Sequence, residues 1–410
     1  MATRVLYRDA ALADGTGPEL KVGVSVLADG ARVLWIGPTE KEPADGFGAK
    51  VVDAGGTTIV PGLIDCHSHL TLPGGSHWIA RGSDPPERLL EEAELNGDLL
   101  NHAGVRWARD VGSVTATDPT DGRHRALALG LRDRWRNRPD RPHVRAAGTW
   151  ITRTGTFYPG LSIDADNAEA MLALAQKQLD DGADLLKLYL DGPKPDEAPW
   201  SREDVRQVVE MAHGRKAKVT AHSSTFVGAH VGVEAGVDSI EHGFALDDHD
   251  VHRMATQGTF LVTTLAVFRS WATFARTTTL PRFVSEEGQA ATARRREAAL
   301  ESVQRAHRAG VRIAGGTDFG GGSLRANQLA WEVEALVEAG LAPWEALAAV
   351  TRRGGELLGE PDAGVIRGGG PADFFLVHGD PLSDPTALWR VWRVAWGASE
   401  GSVPILSQSA

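Results

Sequence analysis

The feature that most constrains this chain is an alternation of short apolar runs with amphipathic stretches through its middle three hundred or so residues. Apolar runs at 59–60, 106–111, 144–148, 185–189, 218–221, 239–240, 260–263 and 312–315 give eight candidate strands. The stretches between them carry helical periodicity, as at 168–175 and 204–211. Parallel strands need a crossover to return to the same edge, so strand and helix in alternation predict a parallel sheet. Several helical stretches end on a glycine just before the next strand, at Gly182, Gly236 and Gly310, the usual signal of a helix C-terminus. Eight units favour a closed (β/α)8 TIM barrel over an open doubly wound sheet. No Gly-rich phosphate fingerprint follows the first strand, which weakens a dinucleotide-binding reading.

The flanks read differently. Residues 22–27 and 32–37 are strand-like around a break at Asp29-Gly30, and 372–377 and 390–396 look similar near the other end. Two terminal β segments can pair, so the expected organisation is a small β-sandwich domain from 1–60 plus 364–410, and a barrel over 61–363. A chain of 410 residues suits a barrel of roughly 250 to 300 residues with one smaller partner.

Composition excludes several classes. A formal charge of −11 argues against nucleic acid, whose binding rests on neutralising phosphates with Lys and Arg. The N-terminus meets charge at Arg4 before any apolar run of signal-peptide length, and no later stretch is long enough for a bilayer span, so a cytoplasmic protein without a membrane partner is expected. Cys66 is the only cysteine, so neither an intramolecular disulfide nor a thiolate cluster is available, and the residue reads as a small buried neighbour.

Chemistry concentrates where strands end. Asp65-Cys66-His67-Ser68-His69 follows an apolar run, and residues two apart in extended chain face the same way, so His67 and His69 can reach one ion. Alone, a His-x-His pair is a weak signal. Barrel active sites gather at the C-terminal ends of several strands, however, and candidate ligands recur there: Lys187, His222, His242 and Asp318. A single His or Asp after a strand is more often a hydrogen-bonded loop residue or a cap. Lys187 is the sharper clue, because an unpaired ammonium inside an apolar strand is costly. Neutral lysine reacts with carbon dioxide to give a carbamate, an anion that two adjacent cations would stabilise as a bridging ligand. Imidazole and carboxylate ligands favour Zn, while Mn, Co or Fe could serve.

These residues resemble the amidohydrolase superfamily, in its imidazolonepropionase-like and metal-dependent dipeptidase-like branch. The resemblance rests on Pro61-Gly62-Leu63-Ile64-Asp65-Cys66-His67-Ser68-His69, Arg109-Asp110-Val111-Gly112, Lys187, Ala221-His222, Ser239-Ile240-Glu241-His242-Gly243, Gly316-Thr317-Asp318 and Gly370-Pro371-Ala372-Asp373, and covers nearly the whole chain. It implies two divalent metal ions: one on His67, His69 and Asp318, the other on His222 and His242, bridged by carboxylated Lys187 and a hydroxide. It also implies that Asp318 is catalytic, taking the proton of the attacking water and passing it to the leaving group. The expected activity is hydrolysis of a C–N bond in a small amide, cyclic amide or dipeptide-like substrate. A lactone or ester hydrolase is the nearest alternative, followed by a deaminase or a catalytically silent scaffold protein.

Two departures matter. Dipeptidase-like relatives commonly carry a Tyr or His two residues beyond the fifth-strand His, where this chain reads His222-Ser223-Ser224-Thr225. The third-strand end reads Trp150-Ile151-Thr152-Arg153, so Arg153 is a candidate for a substrate carboxylate. Tyr158, Tyr189 and His77, with Arg269 and Trp271, are further substrate-pocket candidates in βα loops. The expected partner is a small-molecule substrate, and a homo-oligomer is compatible with the sequence.

Overall fold

The computed structural model describes residues 4–397. Eight parallel strands form the barrel: β1 (Leu63–Ser68), β2 (Val105–Asp110), β3 (His143–Ala146), β4 (Leu185–Tyr189), β5 (Lys218–Ser223), β6 (Ser239–His242), β7 (Phe260–Thr263) and β8 (Arg312–Gly315). They hydrogen-bond in two arcs, β1 to β3 and β4 to β8. An Ala147–Leu185 bridge joins one seam and a Ser68–Phe319 bridge the other. At the second seam the Asp318 N–H donates to the His67 carbonyl at 2.8 Å and the His69 N–H to the Phe319 carbonyl at 3.0 Å.

The strands are buried on both faces, as a sheet covered by helices outside and by its own side chains inside requires: every residue of β1, β6 and β7 is buried. The helix Arg202–Gly214 starts at a reciprocal Ser201–Asp204 capping box and buries Val205, Val208, Val209 and Ala212, one stripe at helical spacing. The helix Phe226–Ala235 starts at Thr225, whose side chain accepts the Gly228 N–H, and stops at Gly236, where φ of 85° suits a residue without Cβ.

One expected strand is reassigned. Residues 59–60 belong to Thr57–Pro61, which pairs antiparallel with Asp373–His378 outside the barrel, and the first barrel strand is β1, carrying His67. Gly62 separates the two strands and lies against the Arg106 side chain, too close for any Cβ.

Both ends of the chain share one seven-stranded sheet, in the order Val391–Trp396, Asp373–His378, Thr57–Pro61, Arg4–Leu12, Lys21–Asp29, Arg32–Pro38, with Lys50–Asp53 also paired to Arg4–Leu12. Val26, Val33, Ile59, Phe374 and Leu376 are among the residues of an apolar cluster of its own. Residues 398–410 of the expected terminal segment lie outside the described residues. No helix among the described residues is long and apolar enough to cross a membrane.

Candidate active site

The C-terminal ends of the strands open into a cavity of about 1140 Å³ whose lining includes His67, His69, Lys187, His222, His242 and Asp318. The fold therefore gathers all six expected ligands at one place. His67, His69 and Asp318 each offer a ligand atom within 4.8 Å of the others, a group that could hold a metal ion. Asp318 Oδ1 is 3.4 Å from His67 Nε2 and 3.3 Å from His69 Nε2. The His242 ring stands 4.7 Å from that of His67 and 4.6 Å from that of His222, centroid to centroid.

Each imidazole is turned by a hydrogen bond on its other nitrogen, which selects the tautomer and frees a lone pair for a cation. His67 Nδ1 donates to Glu241 Oε2 at 2.6 Å and His69 Nδ1 to the Gly112 carbonyl at 2.7 Å. His242 Nδ1 meets Thr264 Oγ1 at 2.7 Å, and His222 Nε2 meets Asp191 Oδ2 at 3.1 Å. The His222 ring also stacks on Tyr189 with centroids 4.2 Å apart and planes within 12°.

Glu241, fully buried, organises the floor. It accepts from Arg109 Nη2 at 2.5 Å, from Ser239 Oγ at 2.9 Å and from the Thr220 hydroxyl, besides His67. Arg109 reaches across to the Cys66 carbonyl at 2.6 Å, so a guanidinium spans β1, β2 and β6 beneath the ligands. Asp65 ties β1 to the segment after β8, accepting the Thr317 N–H at 3.0 Å and its hydroxyl at 2.6 Å; burial pushes its carboxyl up to about 7. β8 can approach this closely because Gly316 presents no side chain, and a Cβ there would lie 2.5 Å from that of His67.

The electrostatics suit cation binding. Burial and the neighbouring Lys187 hold the His67 imidazole below its ordinary range; burial with His222 and His67 does so strongly for His242. Both rings are thereby held neutral. Burial pushes the Asp318 carboxyl up, yet the adjoining imidazoles of His67, His69 and His242 outweigh it and hold the group well below the carboxylate range.

Lys187 is fully buried, and its Nζ has no hydrogen-bond partner among the described residues. Burial, with Arg109 adding to it, lowers the amine to about 8 against the pull of Glu241 and Asp318. A buried, unpaired, partly neutral amine beside two imidazole groups is what a carbamate and its cations would complete. The residues present fit such a centre.

Tyr158 and Tyr189 also line the cavity, with Trp78, Trp150, Phe157, Phe244, Trp271 and Phe283. Arg153 does not. Its Nη1 donates to the Pro199 carbonyl at 2.7 Å and its guanidinium lies over the Trp200 ring, so the expected carboxylate clamp is directed away from the site. Arg153 ends an unforeseen strand, Ile151–Arg153, which pairs with Ile163–Ala165 as well as with Leu188. His77 is exposed at the start of the short helix Trp78–Arg81, outside the lining, and Arg269 is paired with Glu334 at 2.9 Å.

Asp191 went unpredicted. It accepts from His222, from both Ser223 and Ser224 hydroxyls, and from Thr225. Burial raises its carboxyl, but the charge and hydrogen bond of His222 and the hydroxyls hold it far below the usual range. The Ser223-Ser224-Thr225 run, which departs from the dipeptidase pattern, thus holds the carboxylate that orients His222. The available signal was an acid two residues beyond Tyr189, past the end of β4.

A barrel with its polar groups gathered at the strand ends is an enzyme architecture, and the amidohydrolase family model matches residues 58–397, so the chain belongs to the amidohydrolase family. It is a hydrolase acting on C–N bonds. That family generally uses a divalent metal. An uncharacterised protein of Mycobacterium tuberculosis (strain ATCC 25618 / H37Rv) is 30% identical over 377 residues, covering 89% of this chain and 91% of its own. An ochratoxinase of Aspergillus niger is 26% identical over 370 residues, 82% of this chain and 74% of that one. The crystal structure of a Xaa-Pro dipeptidase with bound methionine superposes with a TM-score of 0.81 over 97% of this chain and 99% of that one; at 23% identity the likeness is one of fold.

Proposed function

We propose that this chain is a binuclear metal-dependent hydrolase that cleaves the C–N bond of a small amide, cyclic amide or dipeptide-like substrate. The observation that carries the reading is Lys187, a fully buried amine without a hydrogen-bond partner among the described residues, lining the same cavity as His67, His69, Asp318, His222 and His242. His67, His69 and Asp318 would hold one cation, His222 and His242 a second, and Lys187 as a carbamate would bridge them. Carbamate formation joins the neutral Nζ to the carbon of carbon dioxide and releases one proton. Zn suits this donor set best. Two such cations, when bound, supply a nucleophile from water near neutral pH and polarise the scissile carbonyl.

The protein's own groups do the rest. Asp318, ionised throughout the neutral range, accepts a proton on a carboxylate oxygen and returns it to the leaving nitrogen, whose expulsion as a neutral amine needs it. Glu241 and Asp191 hold His67 and His222 in their tautomers. The aromatic wall of Trp150, Phe157, Tyr158, Tyr189 and Phe244 offers flat apolar faces, which favours substrates with a bulky ring. The likeness to an ochratoxinase supports the amide reading.

The division into a small β-sandwich domain from 1–60 plus 364–410 and a barrel at 61–363 belongs to the same proposal, supported by the separate apolar cluster of the terminal sheet. So do a cytoplasmic location and a partnership limited to small molecules, supported by the charge of −11.

The test is a metal analysis joined to a substrate screen. Reconstitution with Zn and bicarbonate should give close to two equivalents and activity on N-acyl amino acids, dipeptides or cyclic amides. Asp318→Asn should keep the fold while kcat falls about 10²- to 10⁴-fold. At most one equivalent in fully active protein would sink the binuclear reading, and activity confined to lactones would sink the C–N assignment.

A further inference from the structure

A second group of potential ligands lies outside the barrel, on the helices that follow β5 and β6. His230, on Phe226–Ala235, faces His249 and Asp250 in the first turn of Asp248–Gln257, and one ligand atom from each falls within 4.8 Å of the others. The two rings are 5.7 Å apart, and His230 Nδ1 is 2.9 Å from Asp250 Oδ1. Both imidazoles are open to solvent, whereas Asp250 is 0% exposed. Its other oxygen, Oδ2, has no hydrogen-bond partner among the described residues. Its main chain is fixed, the N–H donating to Asp247 Oδ1 at 2.8 Å, so the carboxylate stands anchored beneath two adjustable imidazoles.

We propose that His230, His249 and Asp250 form a peripheral binding site for a borderline divalent cation such as Zn²⁺, separate from the catalytic cavity. Two imidazoles and one carboxylate are a donor set for Zn, Co, Ni or Cu and a poor one for Mg or Ca, which prefer oxygen. A cation would use the carboxylate oxygen that the protein leaves bare, and water would complete its shell. Glu234, four residues beyond His230 on the same helix, is excluded from the set. It accepts from Arg253 Nε at 2.8 Å and Arg202 lies 3.8 Å away, so its charge is already met; its 3.1 Å contact with His249 Nε2 steadies that ring nearby.

The site would act as a staple. The helix Phe226–Ala235 runs from the strand carrying His222, and Asp248–Gln257 follows the strand carrying His242, so a cation between them fixes the packing of two neighbouring βα units. The inference does not depend on the catalytic reading, because the two clusters share no residue.

Equilibrium dialysis of the metal-replete holoenzyme against buffered Zn²⁺ at about 10 μM tests it, with elemental analysis of native protein beside the double variant His230→Gln/His249→Gln. Native protein should retain one equivalent more than the variant, whatever the catalytic centre holds. Zn²⁺ at this level should also raise the Tm of native holoenzyme by about 2 °C, and of the variant not at all. Asp250→Asn should lose the extra equivalent as well, and circular dichroism on each variant checks the fold. Equal stoichiometry in native and double-variant protein, or a Zn²⁺ effect on Tm that survives the substitutions, would overturn the proposal and leave the three residues as a hydrogen-bonded surface cluster.

Discussion

Replacing Glu241 with Gln tests whether the floor of the cavity is organised as described. Glu241 is fully buried and answers two charged or polarised donors, Arg109 Nη2 at 2.5 Å and His67 Nδ1 at 2.6 Å, while Arg109 is itself only 4% exposed. Gln keeps the shape, removes the charge and turns an NH₂ toward one of those donors. Removing one partner of a buried ion pair costs about 3–5 kcal/mol. The lower end applies, because Arg109 keeps the Cys66 carbonyl at 2.6 Å and Ser239 Oγ at 3.2 Å. In metal-free protein a loss of about 3 kcal/mol, at a denaturant slope near 3 kcal/mol/M, lowers the urea midpoint by about 1 M. In parallel the charge that polarises His67 Nδ1 is gone, whichever donor keeps the amide oxygen, so metal affinity should fall about 10- to 100-fold. Urea titration followed by tryptophan fluorescence reads the first effect, and competition with a chelator the second. A midpoint within about 0.2 M of native, with unchanged metal affinity, would refute the role given to Glu241.

Other substitutions have signs that separate stability from function. Lys187→Met should raise the melting temperature of metal-free protein, since it removes a buried unpaired amine, yet abolish the bicarbonate effect and reduce bound metal; scanning calorimetry in chelator and elemental analysis report the two. Burial pushes the fully buried Glu332 carboxyl up to about 7, against its hydrogen bonds from Thr263 and the Ala266 N–H. Between about pH 4.5 and 7 the folded state therefore holds a proton that the unfolded chain has released, and stability falls as pH rises through that window. Glu332→Gln should flatten this dependence by on the order of 2–3 kcal/mol across the window, measured by denaturation at each pH; an unchanged profile would contradict the assignment. Arg153→Ala should lower stability by about 1 kcal/mol, through the lost Trp200 contact and Pro199 hydrogen bond, while leaving the kcat/KM ratio between a carboxylate substrate and its neutral amide unchanged.

The strands from β4 to β8 were legible because each is a short β-rich run between a glycine-terminated helix and a polar residue. The ligands were legible because they stand at those ends. The first barrel strand was misplaced by a few residues, since 58–64 is apolar throughout and periodicity alone does not show that Gly62 divides it between two sheets. Arg153 was misread for a related reason: three residues of strand, Ile151–Arg153, are too few to show their period, and the partner Ile163–Ala165 is no longer. Asp191 and Glu241 orient His222 and His67 across 31 and 174 positions of sequence, which no local pattern encodes. The aromatic wall and the cluster at His230, His249 and Asp250 are likewise products of packing between elements.

The seam that closes the barrel is made by the same short segments that carry ligands: Asp318 N to His67 O, Phe319 O to His69 N, and Thr317 to Asp65 across 252 positions of sequence. A nascent chain lacking β8 has neither the acid of this group nor the hydrogen bonds that hold its two histidines in register. If His67, His69 and Asp318 hold a cation as proposed, that site is complete only once the first and last strands of the barrel have met. On that reading a chain cut before β8 would lack the His67–His69–Asp318 cation site altogether, instead of holding a weakened one.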